Sequence, residues 1–154
     1  MSINDTFTST GAKFFYHQEA MAKLRNGVGQ PVVTHVMATD VCAHTCAFCS
    51  VQARAGDVLP YDNIMAYLDI LLRYKLKAVI LSGGGNPILY KCKKTGRNFN
   101  DLVDGIHSKG LEIGLISDGM ALRKYEGAWS ESRAAYTIRE SWGTVRPETL
   151  DKLT

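Results

Sequence analysis

What this chain lacks narrows its class before any motif is considered. Among its 154 residues, no apolar run approaches the roughly 18 needed to cross a bilayer. The opening stretch Met1-Ser2-Ile3-Asn4-Asp5-Thr6 has neither a basic n-region nor an apolar h-region, so no secretory signal is expected. There is little excess of one charge: 18 Lys and Arg against 15 Asp and Glu leave +3, too mild to indicate nucleic acid by itself. No G-x-S-x-G, H-E-x-x-H or Walker motif supports a hydrolase or a nucleotidase. With 45% hydrophobic and 21% charged residues, the composition is that of one ordinary globular domain. The expectation is a soluble, cytoplasmic protein with no membrane partner. In such a reducing compartment, cysteines serve as metal ligands or reactive groups more often than as disulfides.

Four cysteines are present, and three lie within eight residues: Cys42-Ala43-His44-Thr45-Cys46-Ala47-Phe48-Cys49. The spacing is C-x3-C-x2-C. Disulfides between such close neighbours close very small loops and leave an odd thiol. Three converging thiolates suit either zinc or an iron–sulfur cluster. A structural zinc site usually draws on two distant pairs, and here the second pair is missing, so Cys92 or His44 would have to complete it. A four-iron cluster on three cysteines keeps one iron free of protein ligands, an open Lewis-acid position.

Around this loop the pattern alternates between strand and helix. An amphipathic stretch over 15–25 stops at Asn26-Gly27. The β-branched run 31–39 reads as a first strand leading into the cysteines. Asp62 is placed to cap a helix carrying Ile64, Leu68, Leu71 and Leu72, with Tyr74 near its end. Ala78-Val79-Ile80-Leu81 has the continuous apolar character of a buried parallel strand and runs into Ser82-Gly83-Gly84-Gly85-Asn86-Pro87. A second helix shows Phe99, Leu102, Val103 and Ile106 at i, i+3, i+4, i+7, with Gly110 as its C-cap glycine. A third strand is expected over 111–117, ending at Asp118-Gly119, and a fourth over 136–141. Residues 120–134 are ambiguous, their helix poorly signalled, and Pro147 opens a helix. Such alternation predicts an α/β fold with a parallel sheet, whose chemistry gathers at the carboxyl ends of the strands. The cysteine loop, the triple glycine, Ser117-Asp118-Gly119 and Glu140-Ser141 all fall at such ends.

This constellation resembles the radical S-adenosylmethionine (radical SAM) superfamily. The likeness rests on Cys42, Cys46 and Cys49 with Phe48 before the last cysteine, and on Gly83-Gly84-Gly85-Asn86-Pro87 after the second strand. It continues through Gly114-Leu115-Ile116-Ser117-Asp118-Gly119 and Ile138-Arg139-Glu140-Ser141. The resemblance implies that Cys42, Cys46 and Cys49 hold a [4Fe-4S] cluster whose fourth iron chelates SAM. Reduction would then cleave SAM to methionine and a 5′-deoxyadenosyl radical that abstracts hydrogen from a substrate. By the same likeness, Gly83, Gly84 and Gly85 meet the methionine moiety, with Asn86 and Ser117 also among the cofactor contacts. Ser141 meets the ribose, and the backbone at Phe48 lies near adenine. The implied partner is an electron donor of flavodoxin or ferredoxin type. The family usually carries a glutamate where Asn86 stands, and an asparagine is common at the positions of Asp118 and Ala43.

The family fold is a partial (β/α) TIM-type barrel, commonly of six βα units, and only about four can be counted in this sequence. Residues 1–30 read as an N-terminal helical extension and 31–154 as the radical SAM core, incomplete at its C-terminus. Either the chain is a fragment of a longer reading frame or a partner chain completes the barrel. A non-catalytic iron–sulfur or zinc-binding module, inactive through truncation, is the alternative. The remaining features have plainer readings: Cys92 as a spare thiol, His44 as a solvent-facing loop histidine, and Lys91, Lys93, Lys94 and Arg97 as a solvated basic run.

Overall fold

Ala78-Val79-Ile80-Leu81 presents no polar face, and it forms the one strand of a three-stranded sheet that has neighbours on both sides. The computed structural model describes residue 7 and residues 13–117, 122–130, 133–138 and 147–153. Its parallel sheet runs β1 (Val33–Val36), β2 (Ala78–Leu81) and β3 (Glu112–Leu115), in that spatial order. The register pairs Val33 with Ala78 and Glu112, and Val36 with Leu81 and Leu115. All four β2 residues are buried. Ahead of the sheet lie two helices, α1 (Lys13–Tyr16) and α2 (Gln18–Arg25).

Two helices make the crossovers. In α3 (Tyr61–Arg73), Ile64 and Leu68 stand four residues apart, so both fall on the stripe facing the sheet, and both are buried. Pro60 occupies the N-cap position; Asp62, expected there, lies in the first turn, where its carboxylate complements the exposed N–H groups. In α4 (Phe99–His107), the expected stripe of Phe99, Leu102, Val103 and Ile106 is buried. Asn98 caps this helix: its side chain accepts from the N–H groups of Asn100 and Asp101, while Asp101 accepts from the Asn98 N–H. The expected C-cap glycine comes two residues late. Ser108 is the C-cap, and Gly110, at φ +72°, turns the chain toward β3. Gly105 lets α3 and α4 approach, because a Cβ there would stand 2.2 Å from the Tyr61 hydroxyl.

Alternation along the strands sorts their side chains. Thr34, Val36, Val79, Leu81, Ile113 and Leu115 face the helices, and the Thr34 hydroxyl meets the Tyr67 hydroxyl of α3 at 2.9 Å. The opposite face carries His35, Ile80 and Gly114 in register. There Ile80 lies over Gly114, whose missing Cβ would come within 3.3 Å of it.

The α/β class is therefore present, with three parallel strands among the described residues. The fourth strand expected over 136–141 takes another form. Residues 133–138 make β5 (Arg133–Ile138), which pairs antiparallel with β4 (Leu122–Ser130), a strand that begins within the stretch without a clear signal. The physical reason is local: Leu122 pairs with Ile138 and Ser130 with Arg133, so a short connection supplies a neighbour without a helical crossover. The Pro147 helix is present as α5 (Pro147–Leu150). It is followed by Lys152, which pairs with Asp104 of α4. No helix of the described residues is long and apolar enough to cross a membrane.

Candidate metal and cofactor site at the carboxyl edge of the sheet

The three strand ends stand side by side, so the segments that follow them meet. After β1 the chain runs through Thr39, Asp40 and Val41 into the cysteines, and this stem is held from two sides. On one side, residues 55–59 return antiparallel to it. Leu59 N–H donates to the Ala38 carbonyl at 2.9 Å, and Asp40 N–H to the Asp57 carbonyl at 3.0 Å. The buried Thr39 hydroxyl also donates to Asp57 O and accepts from Val41 N–H at 3.1 Å.

On the other side stands the triple glycine. Gly85 N–H donates to the Thr39 carbonyl and Asn86 N–H to the Val41 carbonyl, each at 2.8 Å. This approach requires glycine. A Cβ on Gly85 would lie 2.1 Å from Val41 O, and one on Gly84 would lie 2.8 Å from Thr39 O. Gly83 and Gly84 both have positive φ, +72° and +66°, a conformation that residues with a Cβ rarely adopt. The glycines thus serve first to seat the stem of the cysteine loop. Asn86, 3% exposed, caps the following 3-10 turn by accepting from Ile88 N–H at 3.2 Å, and accepts the Ser117 hydroxyl at 3.0 Å. Asn86 and Ser117, both expected as cofactor contacts, are bonded to each other.

Cys42, Cys46 and Cys49 are all free thiols of intermediate exposure in the loop beyond this stem. Cys49 N–H closes a turn onto the Cys46 carbonyl at 3.0 Å. Sequence reasoning missed Arg54. One of its amino groups donates to the His44 carbonyl at 2.7 Å and the other to Cys49 Sγ at 3.0 Å, so a single planar cation spans the loop. Asp40 was missed as well; its Oδ2 accepts from Ala55 N–H at 2.9 Å. Asp40 Oδ1 and Arg54 Nε are buried without a hydrogen-bond partner among the described residues. Neither residue belongs to the cysteine motif, and the only sequence signal was an opposite charge on each side of it.

By donor chemistry the loop fits a thiolate-bound group: three partly exposed sulfurs, none in a disulfide, within eight residues. The sulfurs are not gathered, however. Among the described residues, no three His, Cys, Asp or Glu side chains are arranged to hold a metal ion. Ligands often converge only as the metal binds, since binding and ordering are one process. The Phe48 side chain is 92% exposed beside Cys49, and Ser141, with Asp118, Arg139 and Glu140, lies outside the described residues.

Cys92 stands apart, buried in a tight loop where Lys91 bridges Asn98 and Cys92 N–H donates to the Arg97 carbonyl at 2.7 Å. Burial pushes its thiol up, but hydrogen bonds from the Thr95 hydroxyl and from backbone groups of Tyr61, Thr95 and Lys94 outweigh that and bring it down to about 7. A cavity of about 370 Å³ opens along the outer edge of β1, lined by His35, Met37, Leu59, Asn63 and Tyr67 among others; none of the three cysteines lines it. His35 Nδ1 of β1 and the hydroxyl of Ser82, just beyond β2, meet at 2.8 Å. Compared with models of known protein families and with curated proteins, the chain matches none.

Proposed function

We propose that this chain is a radical SAM enzyme or the N-terminal part of one, built on a partial TIM-type barrel and working in the cytoplasm. The observation that carries the reading is the juxtaposition of two motifs. Three free cysteines spaced C-x3-C-x2-C follow β1, and the glycine motif after β2 is bonded to their stem. Cys42, Cys46 and Cys49 would hold the [4Fe-4S] cluster, and the glycine loop would lie against the methionine end of SAM. When bound, the cluster supplies the electron that cleaves the sulfonium bond, delivered by a flavodoxin- or ferredoxin-type donor. The chain's own part is to seat that loop: Gly85 and Asn86 fix its stem, residues 55–59 clamp its other side, and Arg54 spans its middle.

Anaerobic reconstitution with iron and sulfide tests the reading. The expected result is roughly four irons per chain, an EPR signal that changes on adding SAM, and 5′-deoxyadenosine under strong reductant. Replacing Cys42, Cys46 and Cys49 together by Ser abolishes all three; a signal that survives the triple replacement overturns the proposal. A second reading, a cluster- or zinc-bearing module without catalysis, is favoured by the antiparallel pairing of β4 and β5 where a further parallel strand was expected. It predicts metal binding without any nucleoside product.

A further inference from the structure

The Val32 and Val36 carbonyls accept from Ala78 N–H at 3.1 Å and from Ser82 N–H at 3.3 Å, so the even-numbered residues of this segment turn their backbone groups toward β2. By the period of two, Val33 and His35 turn theirs the other way. There β1 ends the sheet, and among the described residues no strand pairs with that side of it. The exposed His35 bonds through its ring to Ser82, beyond the end of β2, so the ring leans away from the open edge. A short open edge is ordinary; the cavity of about 370 Å³ beside it is what sets this one apart. Its walls include three consecutive residues, His35, Val36 and Met37, whose side chains alternate between faces. One hollow touches all three by running over the backbone edge between them. The facing wall is Leu59 with Asn63, Ile64 and Tyr67 of α3, and no Asp, Glu, Lys or Arg lines the cavity.

We infer that the outer edge of β1 is a docking site for an extended peptide strand of another protein, uncharged where it passes α3. The strand continues the sheet by bonding to the outward N–H and C=O groups of Val33 and His35, and it sets a large apolar side chain into the cavity. Main-chain bonds then supply affinity and the cavity supplies specificity. The chain itself already uses this arrangement just beyond β1. There the glycine loop bonds to one side of residues 39–41, while residues 57–59 pair antiparallel with 38–40 on the other. The peptide occupies the stretch of that same side which the chain leaves open. A second copy of this chain fits less well, because a two-fold contact between like edges sets one hollow against the other and fills neither. None of these residues is in the cysteine loop, and the inference does not depend on what that loop binds.

The test selects a phage-displayed, randomised library of short linear peptides against the immobilised full chain and then uses the selected peptides in synthetic form. They are expected to carry apolar residues at alternate positions and to slow hydrogen exchange at the His35 amide. They bind roughly tenfold more weakly to His35→Pro, which deletes the outward N–H and spares the bonds to β2. His35→Ala, which keeps that N–H, binds them as wild type does. Asn63→Lys, an exposed position of α3, puts a charge at the cavity and also weakens binding; it decides the matter if circular dichroism shows His35→Pro unfolded. Peptides that bind every variant alike, or that leave exchange at His35 unchanged, overturn the inference, as does a selection that yields no binder above background. A chain that sediments as a dimer with its His35 amide already protected overturns it in favour of a second copy.

Discussion

Asn86 Oδ1 accepts the Ser117 hydroxyl at 3.0 Å, and through that bond the ends of β2 and β3 are tied beneath the glycine loop. The same oxygen accepts the Ile88 N–H, so one buried atom holds the strand end, the 3-10 turn and the segment after β3. Removing it takes away the acceptor that both donors use, at a residue only 3% exposed.

Asn86→Ala is therefore expected to lower stability by about 1–3 kcal/mol, the usual cost of leaving a buried polar group without its partner. Asn86→Glu places a longer and charged side chain in the same buried site. It is expected to destabilise at least as much as Ala, through overpacking and desolvation. Urea unfolding of the three proteins decides this; an Ala variant within about 0.5 kcal/mol of wild type contradicts the role given to Oδ1.

At the glycine loop, the backbone carbonyls sit where a methyl group would go. Gly85→Ala sets a Cβ against Val41 O at 2.1 Å, and no flexible side chain is available to move aside. The loop and the stem must separate, which breaks the Gly85–Thr39 and Asn86–Val41 bonds. The expected loss is on the order of 3 kcal/mol, with Gly83→Ala milder in packing because its nearest neighbour is the adaptable Met37 side chain. Hydrogen exchange at residues 39–41, compared between wild type and the two variants, shows whether the stem has been released. Protection there that is unchanged in Gly85→Ala contradicts the argument.

The legible parts of the fold were those set by local periodicity. Ile64 and Leu68 marked α3, the four-residue stripe from Phe99 marked α4, and Ala78–Leu81 marked the buried strand, because burial acts directly on the apolar pattern. The pairing of residues 133–138 was not legible in this way. A strand's propensity does not name its partner, and the β4–β5 ladder carries a register shift between Lys124 and Trp129 that no alternation announces. At the site, the cysteines and glycines stood out by composition. Arg54 and Asp40 did not, since their positions depend on how residues 55–59 fold back along the stem. Even the glycines were legible only in part. They stood out as a motif expected to meet a cofactor, but the groups that approach Gly84 and Gly85 are the chain's own carbonyls at Thr39 and Val41.

Cys92 gives the chain a pH dependence that is separate from the three-cysteine loop. Its thiol is lowered from an ordinary 9.0 to about 7 in the folded protein, where Thr95 and nearby backbone groups bond the thiolate. Between those values the unfolded chain holds a proton that the folded chain has released, so stability rises with pH from about 7 to about 9. The contribution is complete above the upper value and is lost as pH falls through the lower one. The neighbouring Tyr90 hydroxyl, raised by burial and by the Cys92 thiolate, does not ionise in this window; it donates to the Leu59 carbonyl at 3.0 Å. Cys92→Ser removes the low-pKa group while keeping a small hydrogen-bonding side chain. Urea unfolding of metal-free wild type and Cys92→Ser under a reductant, at about pH 6 and about pH 9, is expected to show a stability gap that widens at the higher pH. A gap that is constant or narrows as pH rises means that the loop of Thr95 and Lys94 does not stabilise the thiolate.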